Sequence, residues 1–148
     1  MLSRDNYLNE SVKSCGCYRK ELCKRKDNKF RKPLGEASRN CLYKSYKDNA
    51  FKRKLQFNID LNTFDKLTSD NCYFCDIKPY QKIDKANKRN GDYIYNGIDR
   101  INNNLGYTKE NSVSCCGICN RAKNNLSLED FYLWIKRIIK HGKFNDNK

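Results

Sequence analysis

The stretch YIYNGIDRINNNLGYTKENSVSCCGICNRAK, residues 93–123, decides the reading of this chain. Residues 93–101 are rich in β-branched and aromatic side chains, the composition of a strand. The run NNNLGYTKENS carries turn formers, and Gly106 within it is expected to take a positive φ. VSCCGIC then brings the chain back to Cys116 and Cys119, a Cys-x-x-Cys pair, and a helix is expected over Asn120 to Asn124. The stretch therefore predicts a hairpin that ends on a metal-ligand spacing and runs into a helix.

A second Cys-x-x-Cys, Cys72 and Cys75 in NCYFCDIKP, lies 40 residues upstream. Two such pairs supply four thiolates, which tetrahedral Zn²⁺ accepts with no open position. The spacing therefore predicts a structural zinc that pins both ends of a hairpin unit. Cys115 adjoins this set and is expected to point away from it as a spare thiol. Cys15, Cys17, Cys23 and Cys41 follow no strong ligand pattern, and a second metal on them is a weaker alternative.

Composition agrees with a small stapled fold. The chain has 148 residues, 38% hydrophobic and 32% charged, with nine cysteines. So polar a chain builds only a small core, which a metal commonly reinforces. An odd cysteine count and an N-terminus without an apolar signal segment point to a reducing compartment and to metal ligands rather than disulfides. No apolar run approaches the ~18–20 residues that cross a bilayer. The expected place is the cell interior, cytoplasm or nucleoid, or a virion, without secretion. The abundance of Lys (21) and Asn (20) hints at an AT-rich source such as a virus, phage or low-GC bacterium.

The net charge of +14 is uneven. Residues 1–54 hold 16 Lys+Arg against 6 acids, and residues 55–148 hold 15 against 11. Ten net positive charges in a third of the chain predict a polyanionic partner, nucleic acid first. Residues 14–35 read as a basic arm or linker. Residues 36–54 have helical periodicity, with Ala37, Leu42, Tyr46, Ala50 and Phe51 on an apolar face. Arg39, Lys44, Lys47, Lys52, Arg53 and Lys54 are left for an outer face that could follow a phosphate backbone. LQFNIDL, 55–61, alternates as a strand does. Asn62 and Asp65 suggest a capped short helix, with Phe64 and Leu67 buried. Residues 80–92 read as a polar loop. Ser127 and Asp130 cap a last helix whose stripe, Leu128, Phe131, Trp134 or Ile135, Ile138 and Ile139, reads as core packing.

CYFC with YNGIDRINNNLGYTKENSVSCCGICNRAK resembles the zinc-bound HNH nucleases (ββα-metal, endonuclease-VII-like) of phages and mobile elements. More specifically, it looks like a subgroup with Asp-Arg where Asp-His is usual. The resemblance extends over about residues 35–139. It implies an α+β fold, a small zinc-stapled ββα-metal core with a preceding basic helix and a C-terminal amphipathic helix. KSCGCYRKE, 13–21, is similar to the tail of a cysteine-rich DNA-binding module whose upstream half this chain lacks. The implied organisation is a basic cysteine-containing arm over 1–35, a basic helix, strand and short helix over 36–70, and the zinc-bound domain with its helix over 71–141.

The resemblance also implies roles. Asp99 matches the metal-binding aspartate, Asn120 the ligand on the helix, and Asn111 the asparagine that fixes the hairpin. These hard oxygen ligands suit Mg²⁺ or Mn²⁺. Arg100 stands where the general-base histidine is usual and cannot accept a proton. Arg100 then either holds the phosphate beside an activated water, or marks a site that binds without cleaving. Arg121 and Lys123 join the residues expected to meet nucleic acid. The expected activity is metal-dependent hydrolysis of DNA phosphodiesters. The alternative is an inactive zinc-containing nucleic-acid-binding or structural protein of a virion or ribonucleoprotein.

Overall fold

The computed structural model describes residues 32–83 and 90–142. Cys15, Cys17, Cys23, most of the basic arm and the middle of the 80–92 segment lie outside them. The chain divides into two units, Met1–Pro33 and Leu34–Lys148, and the account below concerns the second. Its elements run α1 (Glu36–Lys52), α2 (Leu61–Ser69), β1 (Gln81–Ile83), β2 (Tyr93–Tyr95), β3 (Gly97–Arg100), β4 (Ser112–Cys115), α3 (Gly117–Lys123) and α4 (Leu128–His141). This is the expected α+β class with a ββα core, built by β3, β4 and α3.

The hairpin is antiparallel, with Gly97 opposite Cys115, Ile98 opposite Ser114, Asp99 opposite Val113 and Arg100 opposite Ser112. The strand expected over 93–101 is broken in two. Tyr93–Tyr95 pairs instead with Gln81–Ile83, so part of the segment read as a polar loop is a strand. Asn96 marks the break. Wholly buried, it donates its side-chain amide to the carbonyls of Asp70 (3.0 Å) and Ile77 (3.1 Å), while its backbone N–H donates to Thr68 O (2.9 Å). These donated bonds fasten the hairpin to α2 and to the first cysteine knuckle, although Asn96 Oδ1 has no partner among the described residues.

The main core is Leu42, Ala50, Ile59, Phe64, Ile98 and Tyr107, flanked by Tyr43, Tyr46 and Phe57. Edge-to-face aromatic pairs knit it: Tyr43 with Phe64 at 5.1 Å, Tyr46 with Phe64 at 5.6 Å, Tyr46 with Tyr107 at 6.0 Å. α2 packs across both hairpin strands, and α3 packs on β3. A second cluster, Cys72, Cys115 and Cys116, gathers Phe74 and Cys119. Phe74 meets Phe131 of α4 at 5.3 Å.

Several local expectations are corrected. LQFNIDL forms no regular strand. Phe57 makes one isolated parallel bridge to Tyr107, because residues 58–60 turn away to start α2. The cap of α2 is Asp60, whose carboxylate accepts the Thr63 N–H at 2.8 Å, two residues before the Asn62 that the sequence suggested. α3 begins at Gly117 rather than Asn120, because Cys116 caps it through its sulfur, which accepts the Cys119 N–H at 3.4 Å. Gly106 keeps a negative-side backbone. What it supplies is room: a Cβ there would collide with the Gln56 carbonyl oxygen, and Gln56 O accepts the Tyr107 N–H at 2.8 Å. Phe51 is 83% exposed and takes no part in the core. On α4 only Phe131 is buried, and Ile139 is 68% exposed, so the apolar stripe packs at its first turns and runs on into solvent.

Candidate functional site

Cys72, Cys75, Cys116 and Cys119 bring their sulfurs within 4.8 Å of one another. Cys75 Sγ and Cys116 Sγ are 3.7 Å apart, close to the ~3.8 Å edge of a tetrahedron with Zn–S bonds of about 2.3 Å. The four thiols can therefore hold one metal ion. The first knuckle is held onto β4 by Tyr73 N–H to Ser114 O at 2.9 Å and turns through Asp76 at φ 58. Burial alone would push the Cys72 thiol up. The N–H donors of Cys116, Phe74 and Cys75 outweigh it and bring Cys72 down to about 7. Burial pushes Cys119 well above its ordinary range, and the sulfurs of Cys75 and Cys116 add to it. A cation among the sulfurs would favour their thiolate forms, as in sites where metal binding and folding are coupled. Cys115 stays outside the set. It is buried, its sulfur faces the Cys116 carbonyl at 3.5 Å, and burial pushes its thiol up.

One strand away lies Asp99, 8% exposed, on the third position of β3. Its nearest charge is Lys123, the last residue of α3, at 3.0 Å from Nζ to Oδ2. Lys123 is 0% exposed. Its ammonium also donates to the Arg100 carbonyl at 3.0 Å and to Asn103 Oδ1 at 3.4 Å. Oδ2 of Asp99 is buried and takes the ammonium as an ion-pair partner without an aligned hydrogen bond. The expectation that Lys123 meets nucleic acid is thus corrected: its charge is turned inward, onto the carboxylate.

Arg100 is engaged as well. Its Nη1 donates to the carbonyls of Asn103 (2.6 Å) and Leu105 (2.7 Å), and its guanidinium lies 5.5 Å from the Tyr107 ring centre. It clamps the loop after β3, and its remaining N–H groups make no bond among the described residues. Asn111 closes the same loop. Its side-chain amide donates to Asn102 O (3.1 Å) and Gly106 O (2.9 Å), and its Oδ1 accepts the Asn102 N–H (2.8 Å). Every side-chain contact of this buried asparagine thus goes to loop backbone.

Asn120 lies one turn before Lys123 on α3, exposed, with no side-chain hydrogen bond among the described residues. Its amide oxygen and the Asp99 carboxylate are each of the hard donor type that Mg²⁺ and Mn²⁺ take. The residues fit such an ion chemically, provided that Lys123 gives up the carboxylate.

The basic surface is partly as expected. Lys44, Lys47, Lys52, Arg53 and Lys54 are exposed, as is Arg121. Arg53 donates to the Tyr107 hydroxyl at 2.8 Å and lies 5.8 Å from that ring. Arg39 is already engaged: its guanidinium is bonded to Asp65 at 2.7 Å, which matches its charge. Lys52, Arg53, Asn49, Ser45, Tyr46, Tyr95 and Tyr107 line an open groove of about 570 Å³ along α1.

Lys123 is the residue that the sequence reading misplaced, although its spacing carries a signal. It is seven residues after Cys116 and three after Asn120, and such positions share a helix face. Inside a basic, polar run that face reads as solvent.

No family model matches the chain. Over 102 residues it is 38% identical to the uncharacterized protein R423 of Acanthamoeba polyphaga mimivirus, which is 69% of this chain and 17% of that protein. The chain thus spans about a sixth of the length of that viral relative. Among solved structures it is similar to the rare-cutting HNH restriction endonuclease PacI, with a TM-score of 0.50 and 21% identity over 69% of this chain and 77% of that one. Likeness at that level shows a shared HNH-like fold. No helix among the described residues is long and apolar enough to cross a membrane.

Proposed function

We propose that this chain is an HNH-like endonuclease of the type with Asp-Arg in place of Asp-His, acting on DNA. The observation that carries this reading is the placement of Asp99: buried, on β3, beside α3, beneath a loop that Asn111 and Arg100 hold closed. The four-cysteine set takes zinc as a closed, structural site that fixes the two ends of the hairpin unit. DNA approaches over α1, whose exposed Lys44, Lys47, Lys52, Arg53 and Lys54, with Arg121, meet phosphates. Residues 1–35 are read as a basic arm that precedes the 36–70 and 71–141 segments in the sequence. The reading places the protein where nucleic acid is, inside a cell or in a virion.

Asp99 and Asn120 are the residues that would hold Mg²⁺ or Mn²⁺, and a bound ion supplies charge neutralisation for a phosphate oxygen. Asn111 keeps the loop, and with it the orientation of Asp99. Arg100 cannot take a proton, so its part is to face the anion with the half of its guanidinium that the loop does not use. The chain's single histidine, His141, is exposed at the end of α4 and is no general base here. A missing general base typically slows such chemistry by ~10²–10⁴-fold, which predicts a slow enzyme.

The test is nicking of supercoiled plasmid by zinc-loaded protein with Mg²⁺ or Mn²⁺, compared with no added divalent ion. Nicking that depends on the added ion is expected. Its absence under all conditions would leave the second reading, a nucleic-acid-binding protein of the same fold. The Lys123–Asp99 pair and the engaged Arg100 favour that reading.

A further inference from the structure

We infer that Lys123 is a resident cation, which holds Asp99 in place of a divalent ion and must be displaced before one binds. The inference rests on the assignment of Asp99 as a metal ligand.

A lysine is almost never wholly buried unless it is paired. Lys123 is buried completely, and its ammonium lies among three oxygens of three kinds: the Asp99 carboxylate at 3.0 Å, the Arg100 carbonyl at 3.0 Å and the Asn103 amide oxygen at 3.4 Å. Carboxylate, carbonyl and amide oxygens are also the donors that a hard divalent ion takes. The ammonium donates to the Arg100 carbonyl and the Asn103 amide oxygen and faces the Asp99 carboxylate as an ion-pair partner, so the lysine sits among oxygens as an ion sits in a ligand set. Without a cation, Asp99 Oδ2 would be a buried carboxylate oxygen with no partner, a state that costs several kcal/mol in general. The fold thus keeps a tethered positive charge on the hairpin carboxylate whenever no divalent ion is bound.

A second cation on the same oxygen meets that charge at close range. In a poorly hydrated site the repulsion is strong, so the two exclude one another. Binding of Mg²⁺ or Mn²⁺ is then an exchange: the ion arrives as the ammonium leaves. The consequence is weak intrinsic affinity, set by how firmly Asp99, the Arg100 carbonyl and Asn103 hold Lys123. The same arrangement spares Asp99 from being an unmatched charge when no divalent ion is bound.

The experiment measures Mn²⁺ binding to zinc-loaded protein through the electron paramagnetic resonance of free Mn²⁺. Lys123→Met keeps the length of the side chain and removes its charge. It is expected to bind Mn²⁺ about tenfold tighter or more, and the gain should vanish in Lys123→Met combined with Asp99→Asn. In wild-type protein with ¹⁵N-labelled lysine, the protected ammonium signal of Lys123 should shift or disappear as Mg²⁺ is added. Equal Mn²⁺ affinity with and without Lys123, binding in neither protein, or a Lys123 signal unchanged by saturating Mg²⁺ would each overturn the inference. Zinc content and a thermal melt show whether Lys123→Met folds. If it does not, the wild-type lysine signal decides alone. A protein that exchanges Lys123 for Mn²⁺ but nicks no DNA keeps this inference and loses the endonuclease reading. One that nicks DNA while its Mn²⁺ affinity ignores Lys123 does the reverse.

Discussion

The phenolic oxygen of Tyr46 accepts the Ile98 amide hydrogen at 2.9 Å. One bond thereby joins α1, the basic helix, to the strand that carries Asp99. It faces away from β4, on the side of β3 where no strand follows, so Ile98 has no ladder partner for that N–H. Tyr46→Phe keeps the ring packing on Phe64 and Tyr107 and leaves the N–H unsatisfied. The expected cost is about 1–3 kcal/mol in urea unfolding. A change within measurement error would mean that water replaces the hydroxyl.

The cysteine cluster separates ligand from bystander. Cys72→Ser and Cys119→Ser should each hold less than one zinc per chain and lose cooperative unfolding, because metal affinity and folding are one free energy in such sites. Cys115→Ala should keep its zinc and lose only packing, since its sulfur faces the Cys116 carbonyl and lies outside the four-sulfur set. Zinc loss in Cys115→Ala equal to that in Cys72→Ser would refute the assignment.

On α1, charge matching predicts which residues count. Lys44→Gln and Lys52→Gln should weaken DNA binding alike for all sequences and lower the slope of log K against log salt by about 0.9 per phosphate contact removed. Arg39→Gln should leave the slope unchanged, because Asp65 already holds that guanidinium at 2.7 Å. Anisotropy titrations at several salt concentrations read both, and an equal loss of slope in all three would show that the pair opens on DNA.

Arg100 is predicted to matter to the loop as well as to any chemistry. Nη1 donates to two carbonyls, Asn103 and Leu105, which a lysine ammonium at the end of an unforked stem cannot reproduce in the same plane. Arg100→Lys should cost about 1.5–3 kcal/mol, as charged hydrogen bonds do. Hydrogen exchange should speed up over residues 101–106 while the cysteine knuckles keep their protection. Unchanged exchange there would leave Arg100 free for the phosphate alone.

The spacing of Cys72, Cys75, Cys116 and Cys119 and the strand-turn-strand pattern around Gly106 made the ββα core legible, because both depend on local chemistry. The pairings between distant segments were not. Arg39 finds Asp65 and Lys123 finds Asp99 only once α1 and α3 are docked, and each basic residue reads alone as a surface charge. Asn96 looks like any loop asparagine until Asp70 and Ile77 supply its acceptors. The stripe on α4 was legible as amphipathic but not as half-covered, because periodicity gives the face and not what lies against it. Gly106 was assigned to conformation, whereas a close approach of the Gln56 backbone requires it.

The most direct test of the account compares plasmid nicking and DNA binding for wild type and Asp99→Ala, both zinc-loaded, in Mn²⁺. The account predicts that wild type nicks slowly, while Asp99→Ala binds DNA as well or better and nicks at least about a hundredfold more slowly. Equal nicking by the two proteins, or none by either, would contradict it.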